Sequence, residues 1–243
     1  MAVTEDIPRS WSLLSLAALL AIAVAPPWLG IAAGHVSWQL VAAGGLIWFA
    51  SVCVKRLVVR ATRDPLLRLQ LSPEAAAALQ GLISAITELG AVAVYFATLA
   101  SVSLTELIAF GAGAGSAEAV YVLSMGVFGP PVDPDKLQAW VRGAAVSWCV
   151  RYAVPIERLF ALIGHIGARG LVYVALMHRG PLGLLWGLTA VLLFTAIDAV
   201  AVYGHLKKWQ WHDPTTCRRA HSFFAALSLA EFLLLLVGFR YPD

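Results

Sequence analysis

The chain has 243 residues, 60% of them hydrophobic and 13% charged, with a formal net charge of +3. Mean hydropathy is +0.80, far from the near-half apolar, quarter-charged makeup of soluble domains. These values exclude a soluble globule, and the small basic excess sits in short loops, so nucleic acid is not expected as a partner.

A membrane-spanning helix needs roughly 20 mostly apolar residues. Runs of that kind fall at 11–33, 36–54, 75–100, 104–128, 156–177, 182–204 and 220–239. The expected fold is all-α, a polytopic membrane protein of about seven helices forming one bundle domain over 1–243. The head of the first run, with Thr4, Glu5, Asp6 and Arg9, lacks the basic character of a secretory leader. That run reads as a helix kinked at Pro26-Pro27.

The loop after the second run carries Lys55, Arg56, Arg60, Arg63 and Arg68; later loops carry Lys136, Arg142 and Arg151, then Lys207, Lys208, Arg218 and Arg219. All three fall on one face, and the positive-inside rule makes that face cytoplasmic. A multi-pass protein of the cell membrane follows, with its N-terminus cytoplasmic and its C-terminus outside. Two basic amphipathic stretches on the same face, RLVVRATRDPLLRLQL and residues 137–154, are expected to lie in the interface, the latter with Trp140 and Trp148 at headgroup depth.

Cys53, Cys149 and Cys217 fall on or near that face, where thiols stay reduced, so no disulfide framework is expected. The stretch WHDPTTCRRAH places Cys217 and His221 one helical turn apart, with His212 and Asp213 upstream. That geometry can hold zinc, but it matches no strong zinc signature, and Asp213 reads more simply as the cap of a helix opened by Pro214.

The stretch AFGAGAGSAEAVYV has glycines at 111, 113 and 115. Their spacing is not that of a dinucleotide loop, and no alternating strands flank them. Gly111 and Gly115 instead form G-x-x-x-G, a seam that lets two helices approach closely in lipid. Glu118 follows in the same run, and Glu88, His165 and Asp198 lie at similar depth on neighbouring runs, with Arg169 one turn beyond His165 and Glu231 in the last run. Ionisable residues inside a bilayer cost at least a few kcal/mol and mark functional sites by default. Each has a structural account: Arg169 neutralising a carboxylate, Glu231 paired with it or protonated, His165 a satisfied core histidine. Three carboxylates and a histidine on separate runs point instead to a shared polar site. Glu157 and Arg158, just after Pro155, read as helix-end and headgroup residues.

On GAGAGSAEAV and PIERLFALIGHIGARGLV, with Glu88 before and Asp198 after, the chain resembles the YhfC-type membrane peptidases, relatives of the PrsW and CAAX-prenyl endopeptidase superfamily of glutamate-dependent intramembrane proteases. The resemblance spans about 40–204. It implies a peptidase acting on a membrane-associated peptide or protein, with Glu88, Glu118, His165 and Asp198 as the catalytic set and Glu88 as general base. A metal version of that site has Glu118, His165 and Asp198 holding Zn²⁺. Two motifs depart from the family pattern: in the first, Thr87 stands where a second acid is usual and Ala91 where a basic residue is, and in the last, Phe194 stands where a histidine is expected one turn before Asp198. A degenerate member would bind substrate without cutting it. Two other classes fit the same residues: a proton- or cation-coupled transporter using them as a relay, and a noncatalytic partner protein assembled through its G-x-x-x-G seam.

Overall fold

In a computed structural model the described residues are 9–32, 34, 36–99, 101–130 and 132–240; the side chains of Arg9 and of 63–68 are not described. The acidic head read from the sequence, Thr4, Glu5 and Asp6, lies outside the described residues, as do the side chains of Arg63 and Arg68.

The described residues are all-α, in nine helices: α1 (Arg9–Ala32), α2 (Trp38–Arg68), α3 (Pro73–Phe96), α4 (Leu104–Phe128), α5 (Pro134–Val146), α6 (Trp148–Arg151), α7 (Ala153–Met177), α8 (Gly180–Leu206) and α9 (Pro214–Arg240). Seven of them, all but α5 and α6, are long and apolar enough to cross a membrane. The protein is therefore an all-α polytopic membrane protein.

Local chemistry sets the helix ends. Ser103 and Glu106 cap α4 reciprocally, the Ser103 backbone N–H donating to Glu106 Oε2 at 2.8 Å. Asp213 caps α9 as the sequence indicates, its carboxylate accepting from the Thr216 N–H at 2.7 Å. That bond holds the Asp213 carboxyl below its ordinary pKa.

Two expectations need correction. The second span does not stop at 54: α2 runs unbroken to Arg68, so RLVVRATRDPLLRLQL is its continuation and not a separate interfacial helix. At 1.5 Å per residue such a helix outruns a hydrocarbon core of about 30 Å. The 137–154 stretch is likewise not one helix; Ser147 is extended (φ −142°, ψ 121°) and splits it into α5 and α6, after which α7 begins. Trp148 is exposed, and Trp140 packs beside Cys149, Val150 and Cys217.

The bundle is built around α7, which packs against α9, α4, α8, α1 and α3. Of the windows able to span, that of α7 is the most buried (67%), whereas α8 buries 11% and turns Leu184, Leu185, Leu188 and Leu192 outward, the face a lipid-exposed helix presents. At one end of the bundle Phe96, Phe110 and Tyr173 pack together, and the Tyr173 hydroxyl accepts from the buried Val102 N–H at 2.8 Å. Tyr173→Phe orphans that donor, and a loss of about 1–3 kcal/mol in detergent unfolding is expected at unchanged helix content.

Candidate functional site

The glycine seam decides which helices meet. A Cβ on Gly111 would meet the backbone of Ile166 and, at 3.0 Å, the carbonyl of His165; one on Gly115 would stand 2.8 Å from Leu162 Cα. With these side chains absent, α4 and α7 run antiparallel in backbone contact. One more turn along α4 brings Glu118 against His165 and Arg158 of α7. His165 Nε2 is 2.6 Å from Glu118 Oε2, and Arg158 Nη1 is 2.8 Å from Oε1. Gly113 faces the other way, its missing Cβ leaving room for the Val41 backbone of α2.

From this pair the network extends inward. The Arg169 guanidinium reaches His165 Nδ1 through Nη1 and donates through Nη2 to Glu88 Oε2 at 3.2 Å. Since an arginine has only donors, His165 Nδ1 accepts and its Nε2–H donates to Glu118, which fixes the imidazole tautomer. Glu88 Oε1 accepts from Lys55 Nζ at 2.7 Å and from Ser84 Oγ at 3.3 Å. Lys55 lies 3.9 Å from Asp198 Oδ2. The four residues singled out in the sequence, Glu88, Glu118, His165 and Asp198, thus line one cavity of about 120 Å³, along with Lys55 and Arg158. Such a volume holds several waters.

Asp198 is the least committed carboxylate of the set, its side chain 34% exposed and its one ion pair long. Glu118 is 25% exposed and engaged on both oxygens, while Glu88 is enclosed among three donors. Phe194 lines the cavity one turn before Asp198, so an apolar ring fills the place of the expected histidine. Where Ala91 withholds a basic neighbour from Glu88, Lys55 and Arg169 supply two from other helices. Glu231 also borders the cavity; it is fully buried, and neither of its oxygens has a hydrogen-bond partner. A wider recess, lined by Lys55, Arg56, Arg60, Gln80, Ser84 and Asp198, shares Lys55 and Asp198 with the cavity and gives it a basic rim.

Two cations of this site, Lys55 and Arg158, read differently in the sequence, and a third, Arg169, keeps its reading. Lys55 reads as a loop charge when the second run is ended at 54, whereas α2 continues to Arg68; the apolar run VCVKRLVV is the available signal. Arg158 read as a headgroup residue, but it is buried and bridges Glu118 and Glu157. Arg169 does neutralise a carboxylate, namely Glu88.

The ligand set Glu118, His165 and Asp198 is not drawn together around a common metal position. Both imidazole nitrogens of His165 are occupied, one by a guanidinium that repels a cation. Among the described residues the one group of three that can hold a metal ion is Cys149, Cys217 and His221, whose ligand atoms lie within 4.8 Å of one another. His212 and Asp213 are not members of it; Cys149, brought in by α6, is. Comparison with protein-family models, curated proteins and solved structures gives no match.

Proposed function

We propose that the protein is an intramembrane hydrolase that cleaves a membrane-associated peptide with a carboxylate-activated water, without a metal in the cavity. The observation that carries this reading is Glu118: a partly exposed carboxylate at a water-sized cavity, fixed by His165 on one oxygen and flanked by Arg158 on the other. Each carboxylate oxygen has two acceptor positions, so both partners leave room for a water. Glu118 takes a proton from that water as its oxygen attacks the scissile carbonyl carbon. The resulting oxyanion is stabilised by Arg158, whose Nε has no hydrogen-bond partner, and by the Lys55 ammonium. Glu118 then returns the proton to the amide nitrogen as the C–N bond breaks. Glu88 holds Lys55 and Arg169, and His165 positions Glu118, so the base role implied for Glu88 by family resemblance passes to Glu118 in this reading.

The similarity of GAGAGSAEAV and PIERLFALIGHIGARGLV to YhfC-type peptidases supports the same assignment. A cation-coupled transporter is less well supported: a cation site wants free acceptors, and Glu88, Glu118 and Asp198 are each already paired with Lys55, Arg158 or Arg169, although Glu157 and Glu231 add two further carboxylates to the lining. The basic rim suits entry from a cytoplasmic leaflet of the cell membrane rich in anionic lipid, with the C-terminus outside.

Purified protein in lipid nanodiscs, incubated with a membrane-protein extract, should generate new peptide N-termini that Glu118→Gln abolishes by at least about 100-fold, the scale of a lost general base. Equal cleavage by wild type and Glu118→Gln would refute the proposal, and proton flux in liposomes abolished by the same variant would assign the transporter instead.

A further inference from the structure

Away from the cavity, Cys149 of α6 and Cys217 and His221 of α9 converge. Sγ of Cys149 is 3.2 Å from Sγ of Cys217 and 3.3 Å from His221 Nδ1, and Cys217 Sγ is 3.7 Å from the same nitrogen. The cysteines are buried free thiols, and His221 is half-buried, leaving an approach from the surface. We infer that Cys149, Cys217 and His221 form a zinc site that clamps the short helix α6 to α9.

The donor set and its spacing both favour this metal. Two thiolates and one imidazole are ligands that zinc accepts, and ligands about 2.0–2.3 Å from the ion at tetrahedral angles stand roughly 3.5–3.8 Å apart. Two of the separations, 3.2 and 3.3 Å, lie just below that range and the third, 3.7 Å, falls within it, whereas a flat trigonal arrangement would demand wider ones. One corner stays open for water.

Charge supports the same conclusion. Binding releases two thiol protons to solvent, and two thiolates with a neutral imidazole exactly cancel the charge of Zn²⁺. A neutral complex avoids the desolvation cost that a lone ion would meet beside Val150 and Ala153.

The register of α9 links the clamp to the cavity. Cys217, His221, Phe224, Ser228 and Glu231 follow one another at alternating steps of four and three, which places them along one face. The last three line the cavity. Fixing the start of α9 to α6 therefore sets the angle at which Ser228 and Glu231 approach α7, where the missing Cβ of Gly164 admits both.

The full chain, purified in detergent under reductant, should carry about one zinc ion by elemental mass spectrometry. Cys149→Ser, Cys217→Ser and His221→Ala should each lower zinc affinity at least tenfold, while Cys53→Ser, at an exposed position, keeps it. Should a variant misfold, the metal-free wild type provides a separate measurement: cobalt(II) should give a thiolate charge-transfer band that zinc abolishes stoichiometrically. Absence of both zinc and the cobalt band overturns the inference. Preferential uptake of copper(I), or a Cys149–Cys217 disulfide that zinc does not prevent, overturns it too. Because none of these readouts uses peptide cleavage, their failure is separable from failure of the hydrolase reading.

Discussion

Arg169→Met is expected to destabilise the protein by about 3–5 kcal/mol, the cost of breaking a buried ion pair by removing one partner. The arginine is 1% exposed on α7 and bridges two groups that do not otherwise touch, Glu88 of α3 and the His165 imidazole. Methionine fills much of the volume but donates nothing. Glu88 then keeps Lys55 and Ser84 on Oε1 and loses its donor on Oε2. His165 loses the donor that forces its Nδ1 to accept, so the imidazole is free to invert its tautomer and present a lone pair to Glu118, two acceptors face to face. The defect therefore spreads into the cavity. Arg169→Met/Glu88→Gln should recover part of the loss, since the amide removes the uncompensated charge while still accepting from Lys55. Reversible unfolding in mixed micelles provides the measurement. A loss under about 1 kcal/mol for the single variant, or strict additivity in the double, would show that the bridge does not hold α3 to α7.

The legible part of this molecule is the part that lipid dictates. Seven apolar runs became seven helices able to span because a bilayer requires every spanning backbone group to bond within its own helix, and hydropathy reads that requirement directly. The acid and imidazole residues at mid-depth were equally visible, since each stands out against an apolar background. Their partners were not. Lys55 follows the most apolar part of its helix and Arg158 lies near the start of α7, places where a cation ordinarily reports topology, and only the antiparallel register of α4 and α7 turns Arg158 toward Glu118. The cysteine cluster was half visible: Cys217 and His221 are one turn apart on a helix, whereas Cys149 arrives from 68 residues upstream in sequence through α6, a contact no local spacing encodes. Helix breaks were obscure for the same reason. Ser147 offers no proline or glycine to announce a split, and it is packing of α6 against α9 that requires one.

Gly111→Val is expected to part α4 from α7, with a loss of at least about 2–3 kcal/mol, at or beyond the upper range for overpacking a well-filled interior. The atoms a new Cβ would meet are the backbone of Ile166 and the carbonyl oxygen of His165, none of which can swing aside as a side chain would. Relief requires separating the helices, and the Glu118–His165 contact of 2.6 Å, two turns further along the same seam, has little slack. A hydrogen bond stretched much past 3.2 Å is largely lost. The variant should thus show two signatures together: a lowered unfolding transition, and loss of the downfield His165 Nε2–H resonance that marks donation to a carboxylate. Gly90→Ala provides the contrast, because nothing lies within 4 Å of a Cβ built there. It should be neutral, or stabilising by up to about 1 kcal/mol through reduced chain entropy in the unfolded state. If both glycine variants behave alike, close approach of α4 to α7 is not what places Glu118 beside His165.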